Sequence, residues 1–298
     1  MGVNSQYKSS VFSFLFSDAD ALRELYGALS GAPLPPDTPI EINTLEGVLY
    51  RTFMNDLSFV AGGKLVVLVE HQSTINPNMA VRLFLYLARV YEKITAGENL
   101  YGKKKLTIPR PECIVLYNGT EPYPDEQVIN LSDVFADASA LGLPAGTPPD
   151  LELRVKVYNI NKGHNEAIVR RSEKLEGYST FIGKVREFES LRSGGGARRL
   201  TDDEKKAAMK DAINWCIANG ILRPFFEAQG SEVVNMLMNE WKLEDALVVE
   251  REEGREEGRE EGLAEAVNNL FAFGMEPEQI SHALKLPLET VMQYHTDR

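Results

Sequence analysis

The run Leu65-Val66-Val67-Leu68-Val69 is apolar at every position and gives way at once to Glu70-His71-Gln72. A stretch this short and this rich in β-branched residues reads as a strand, and its lack of alternation means that both faces are covered. Covered faces require layers on either side, so the segment commits the chain to an α/β architecture with a central sheet.

The flanking segments supply the partners. Strand-like runs cover Ile40 to Phe53 and Asp56 to Val60, and the turn Ala61-Gly62-Gly63-Lys64 joins the second run to Leu65 as a hairpin. Upstream, Asp18 to Leu29 has a cap at Asp18 and Leu22, Leu25, Tyr26 and Leu29 at helical spacing. The proline-rich segment Gly31 to Pro39 then forbids regular structure. Downstream, Asn76-Pro77-Asn78 opens a helix from about Pro77 to Ile94. Two further strands follow, Glu112 to Tyr117 and Leu151 to Ile160, the latter with Arg154 and Lys156 on its outward face. The order helix, three strands, helix, two strands predicts a mixed sheet flanked by helices.

Residues 165–190 and 201–240 are helical by pattern. The repeat Arg-Glu-Glu-Gly in 251–262 predicts a marginal, solvated helix or linker, because Glu252–Arg255 and Glu256–Arg259 pair along a helix while each glycine weakens it. Residues 263–298 form a further unit of three short helices, with Ile280, Ala283, Leu284, Leu286 and Val291 at the spacing of a helix-turn-helix core. Its third helix carries no Arg or Lys between Pro287 and Asp297, which argues for assembly of chain copies, or for capping, over DNA binding. The expected divisions are therefore 1–190, 201–250, 251–262 and 263–298.

Charge narrows the partners. The net charge is −12, and residues 241–298 hold 14 acids against 6 bases, so the body of the chain is nearly balanced. Such a chain does not coat nucleic acid through a basic surface, yet it retains local clusters at Lys103, Lys104, Lys105 and Arg110, and at Arg192, Arg198 and Arg199. No apolar run approaches the ~20 residues of a spanning helix, and Met1 to Ser10 lacks the pattern of a secretory signal. With Cys113 and Cys216 its only cysteines, the chain is expected to be a cytoplasmic protein without disulfides and without a membrane partner.

The chemistry concentrates at the hairpin. Strand alternation places Glu70 and Gln72 on one face, and hairpin pairing brings Asp56 within their reach. Two carboxylates at the end of an apolar strand need a compensating cation, and hard oxygen donors suit Mg²⁺ or Mn²⁺. The His71 carbonyl is placed to complete the shell, and Gln72 to orient a water by hydrogen bonding. A purely structural reading is also open: Asp56 caps a turn, Glu70 pairs with Arg82 or Arg89, and Gln72 begins a loop.

The segment Glu70 to Lys93, EHQSTINPNMAVRLFLYLARVYEK, closely resembles the Rpn family of recombination-promoting nucleases, also labelled transposases. Tyr7–Asp18, Glu41–Tyr50, Asn55–Phe59, IVLYNGT (Ile114–Thr120), VYNINKGHN (Val157–Asn165) and the Arg-Glu-Glu-Gly repeats are similar to it as well. The resemblance implies a PD-(D/E)XK restriction-endonuclease-like core, an αβββαβ mixed sheet followed by an all-helical C-terminal region. It implies that Asp56 is the metal-binding Asp and that Glu70-His71-Gln72 is the (D/E)-x-K element, with Gln in place of Lys. Glu24 stands where many superfamily members carry an additional acid, with Asp20 one turn away as the alternative. Arg82 and Tyr86, i,i+4 neighbours, are placed to face a scissile phosphate, or else to act as a salt bridge and a core aromatic. Lys103 to Lys105 are placed to contact DNA backbone. The implied activity is Mg²⁺-dependent DNA cleavage that promotes recombination or mobile-element movement. The competing reading, from the missing Lys and the acidic charge, is a DNA-binding or regulatory protein that keeps the fold without turnover.

Overall fold

In the computed structural model, residues 11–42, 57–63, 65–73, 75–136, 142, 144, 146–195 and 198–296 are described. Asp56, most of the expected Ile40–Phe53 strand and the side chain of Glu70 lie outside them. Helices α1 (Val11–Leu15) and α2 (Ala19–Ser30) lead into strands β1 (Ile40–Ile42), β2 (Leu57–Ala61) and β3 (Leu65–Gln72). Helix α3 (Met79–Ile94) then crosses to β4 (Arg110–Tyr117), followed by β5 (Glu126–Asn130) and β6 (Arg154–Asn159). The six strands lie in the order β1-β2-β3-β4-β6-β5. Strands β3, β4 and β6 are mutually parallel, and β1–β2, β2–β3 and β5–β6 are antiparallel. The expected mixed sheet is present, with β3 inside it. Strand β5 was not expected; its sequence Glu-Gln-Val-Ile-Asn carries no apolar alternation because it is an edge strand exposed over its first three residues.

The two faces are covered by different elements. On one face α3 packs Met79, Leu83, Tyr86 and Leu87 against Cys113, Val115 and Tyr117 of β4 and Val155 and Val157 of β6. Burial of each such side chain contributes roughly 1.5–3 kcal/mol, so this cluster is a principal source of stability. On the other face Phe12 of α1 stacks on His71 of β3, with ring centroids 5.1 Å apart. Tyr178 of α5 (Glu173–Ser193) meets both rings edge-on, at 5.4 Å from Phe12 and 5.2 Å from His71.

Local signals set most helix ends. Asp18 caps α2 by accepting from Ala21 N–H at 2.8 Å. Helix α3 begins at Met79 and not at Pro77, because Asn76 folds into a turn of its own and accepts from Asn78 N–H at 2.9 Å. Helix α4 (Glu166–Val169) precedes α5, and α6 (Asp202–Ala218) starts from a capping box between Thr201 and Glu204.

Helix α7 is continuous over Arg223–Ala272 and includes the Arg-Glu-Glu-Gly repeats. The chain divides into two compact units, Met1–Met238 and Asn239–Arg298. In the second, α8 (Pro277–Leu284) and α9 (Leu288–Thr296) close over Val267, Ile280 and Val291, with Leu284, Leu286 and Tyr294 packed against them. Ala283, expected in that core, is exposed.

Candidate functional site

The parallel strands β3, β4 and β6 end together, and Gln72, Tyr117 and Asn159 are the last residues of the three strands there. Glu70 is registered opposite Val115 and Gln72 opposite Tyr117, so both positions lie on the α3 face; His71, opposite Leu116, belongs to the other face. The hairpin ladder closes with Leu57 opposite Val69. Asp56 therefore precedes, and Glu70 follows, the two members of the last antiparallel pair.

The backbone of this end is held from the β4 side. Asn118 N–H donates to the Gln72 carbonyl at 2.9 Å, and Ile160 N–H donates to the Tyr117 carbonyl at 2.8 Å. Successive carbonyls of a strand point to opposite edges, so the His71 carbonyl is directed away from β4, toward β2. The Asn118-Gly119 turn packs so tightly on Ser73 that a Cβ at Gly119 would lie 2.6 Å from a ring carbon of Tyr117 and closer still to the Ser73 carbonyl and the Tyr117 hydroxyl.

His71 is a packed residue. Its Nε2 lies 2.9 Å from the Tyr178 hydroxyl, which receives a bond from Asn118 Nδ2 at 3.4 Å. Burial, with the nearby Arg186 charge adding to it, lowers its pKa to about 3, so the ring is neutral at physiological pH. The His71 Nε2 and the Tyr178 hydroxyl share this hydrogen bond, and Asn118 donates into the same hydroxyl. Among the described residues, Asn118 Oδ1 is buried there without a hydrogen-bond partner.

The other proposed residues are spread more widely. Arg82, half-buried, stands in the first turn of α3 on the same end of the sheet as Gln72. Tyr86, 4% exposed, lies inside the α3 core cluster. Glu24 accepts from Lys174 N–H at the start of α5, at 3.3 Å. Lys103, Lys104 and Lys105 are exposed in the loop that enters β4 at Arg110, the opposite end of the sheet from Gln72. Eight residues of strand separate the two ends, roughly 25 Å, so these lysines are not brought together with Glu70 and Gln72. The Arg192–Arg199 cluster is not a free basic patch either: Arg192 pairs with Asp211 at 2.5 Å and Arg198 with Glu204 at 2.7 Å. Both cysteines are buried, and burial pushes each thiol up to about 12, which makes them inert packing groups.

A second group of residues, singled out in sequence only as similar motifs, forms a cleft of about 480 Å³ beside this end. Arg186 of α5 donates to Asn161 Oδ1 at 2.7 Å and also to the Asn118 carbonyl. Asn161 in turn donates to the Gly119 carbonyl at 3.0 Å and to Asn159 Oδ1 at 2.9 Å, and Asn159 donates to the Tyr123 carbonyl at 2.9 Å. His164 Nδ1 lies 2.6 Å from Asp125 Oδ1, and Asn165, at φ 44, clamps the Asp125 and Asn159 carbonyls. The density of Asn in VYNINKGHN was the available signal: amide side chains at such spacing tie backbone loops together.

Among the described residues, no group of three or more His, Cys, Asp and Glu is placed to hold a metal ion. No helix among them is long and apolar enough to cross a membrane.

The fold and this end of the sheet define a mixed α/β protein whose polar residues converge where parallel strands terminate, the usual ligand-binding end of such sheets. Residues 50–155 match the family described as "Putative transposase, YhgA-like". The family resemblance drawn from Glu70–Lys93 is borne out over this stretch, which contains the hairpin, α3 and β4. Neither a curated protein nor a solved structure matches the chain.

Proposed function

We propose that the chain is a metal-dependent DNA endonuclease with a PD-(D/E)XK core, acting in recombination or mobile-element movement. The observation that supports it most is the pairing of Leu57 with Val69 at the mouth of the β2–β3 hairpin. Chain geometry alone then keeps the Cα atoms of Asp56 and Glu70 within about 13 Å of each other, a span that two carboxylate side chains can bridge to one ion. The element order α2-β1-β2-β3-α3-β4 follows the αβββαβ order, and the matched family description is consistent with work on DNA.

The donor set fits Mg²⁺ or Mn²⁺: two carboxylates, with a main-chain carbonyl at His71 directed toward β2, the strand that Asp56 precedes in sequence. Asp56 and Glu70 would hold the ion and His71 would contribute that carbonyl. The ion, when bound, polarises the phosphodiester and lowers the pKa of water. Gln72, on the same face as Glu70, orients the attacking water through its amide. Arg82, from the first turn of α3, faces the scissile phosphate and offsets its charge. Glu24 serves as the additional acid from α2. Lys103 to Lys105, at the far end of β4, touch DNA only where the duplex extends across the sheet.

Plasmid incubated with the purified protein and Mg²⁺ tests this reading. Wild type is expected to nick or linearise it, and Asp56→Ala to lose roughly 10²-fold or more of that activity. Retarded migration of DNA without cleavage by either protein would favour the binding or regulatory protein instead.

A further inference from the structure

The cleft beside the sheet end is used by none of the residues assigned above. It is about 480 Å³, within the range of small-ligand sites and too small to enclose a base-paired duplex. Its inner wall is a preorganised frame: Asn159, Asn161 and the Gly119 turn spend their hydrogen bonds on one another and on Arg186. Its functional groups face outward from that frame. Lys162 is exposed and has no ion-pair or hydrogen-bond partner among the described residues, and it lines the cleft with Arg186. Arg186 lines the cleft as its second cation, held by Asn161 Oδ1 at 2.7 Å and by the Asn118 carbonyl. Tyr123 lines the same wall, braced by Tyr117 with ring centroids 4.7 Å apart. Glu121 is the one carboxylate among the lining residues, and its backbone carbonyl accepts from the Tyr117 hydroxyl at 2.8 Å.

We infer that this cleft seats a single unpaired nucleotide of a DNA strand, its phosphate on Lys162 and its base against Tyr123. A braced aromatic ring with a cation beside it is the arrangement that binds a splayed-out base without sequence preference. The cleft wall reaches the proposed cleavage site through one bond, Asn118 N–H to the Gln72 carbonyl at 2.9 Å, so a nucleotide held here fixes the strand beside Gln72. The inference rests on the nuclease reading for its occupant, yet it concerns residues that reading does not use.

Binding is measured on the full chain in EDTA, so that cleavage plays no part, with a fluorescein-labelled single-stranded oligonucleotide and its duplex. The single strand is expected to bind more tightly than the duplex. Lys162→Glu, on an exposed loop, should weaken it roughly tenfold, and Lys162→Ala should lower the salt slope by about 1. Glu121→Gln should tighten binding, since it removes the opposing charge. An oligonucleotide carrying 2-aminopurine should be quenched on binding to wild type and not to Tyr123→Leu. Equal affinity of wild type and Lys162→Glu for the single strand overturns the cleft, while Asp56-dependent nicking of plasmid would leave the nuclease reading intact. Weakened binding by Lys162→Glu with an uncut plasmid would do the reverse. Full displacement of the oligonucleotide by an equal concentration of a mononucleotide would overturn the strand as occupant.

Discussion

At the scale of single residues, close approach separates positions that tolerate change from those that do not. Gly119 has no room for a methyl group, because the obstructing atoms include the Ser73 carbonyl, which cannot move without breaking the end of β3. Gly119→Ala is expected to cost about 3 kcal/mol or more, read from the urea midpoint, and to misplace Gln72. Gly183, inside α5, meets nothing within 4 Å of an added Cβ, and Gly183→Ala should stabilise by about 0.4–1 kcal/mol. Tyr86 makes a sharper test of the DNA-contact reading. As a core residue, Tyr86→Ala should lose about 3–5 kcal/mol of stability. An unchanged urea midpoint with weakened DNA binding would instead place the ring at the phosphate. The sequence showed why Glu70 and Gln72 matter, since a carboxylate ending an apolar strand is conspicuous. It did not show the role of Asn118, Asn159 or Asn161, because an amide that ties two loops together has no periodicity and acquires its partners only when β4 and β6 are neighbours.

At the scale of elements, the local code was legible wherever a segment carries its own boundary signals. The β2–β3 hairpin and the cap of α2 are both decided within a few residues. Strand β5 was not legible because an exposed edge strand is defined by its neighbour, here β6, and not by burial. The α6 capping box gives a pH-dependent test. A side-chain hydrogen bond from Arg198, followed by the Thr201 backbone bond, holds the Glu204 carboxyl at about 2, below its ordinary 4.5. The folded chain then binds fewer protons here than the unfolded one, so the contribution is complete above about 4.5 and is lost as pH falls toward about 2. The difference in melting temperature between wild type and Glu204→Gln should be present at pH 7 and shrink steadily below about pH 4.5. A difference that stayed constant with pH would remove the ionised carboxylate from the cap. Thr201→Ala, which deletes the other half of the box, should cost about 1 kcal/mol at neutral pH.

At the scale of the whole molecule, charge and stability are unevenly distributed. Most of the net charge of −12 belongs to residues 241–298, which add little to any contact with an anionic backbone. The proposed cleavage residues and the nucleotide cleft lie within Met1–Met238, a compact unit by its own contacts. A chain ending at Met238 is therefore expected to unfold cooperatively and to keep metal-dependent nicking of plasmid, provided DNA is engaged through the sheet end alone. Removing the acidic segment should also make the affinity for DNA no weaker at low salt, since it takes away like charge. If the C-terminal unit assembles copies of the chain, light scattering will show a smaller mass for the truncated protein than for the full one beyond the mass of the missing residues. Cleavage lost together with that assembly would mean that the second strand is cut by a second copy. Cleavage retained by a monomer would locate the whole reaction at the end of β3.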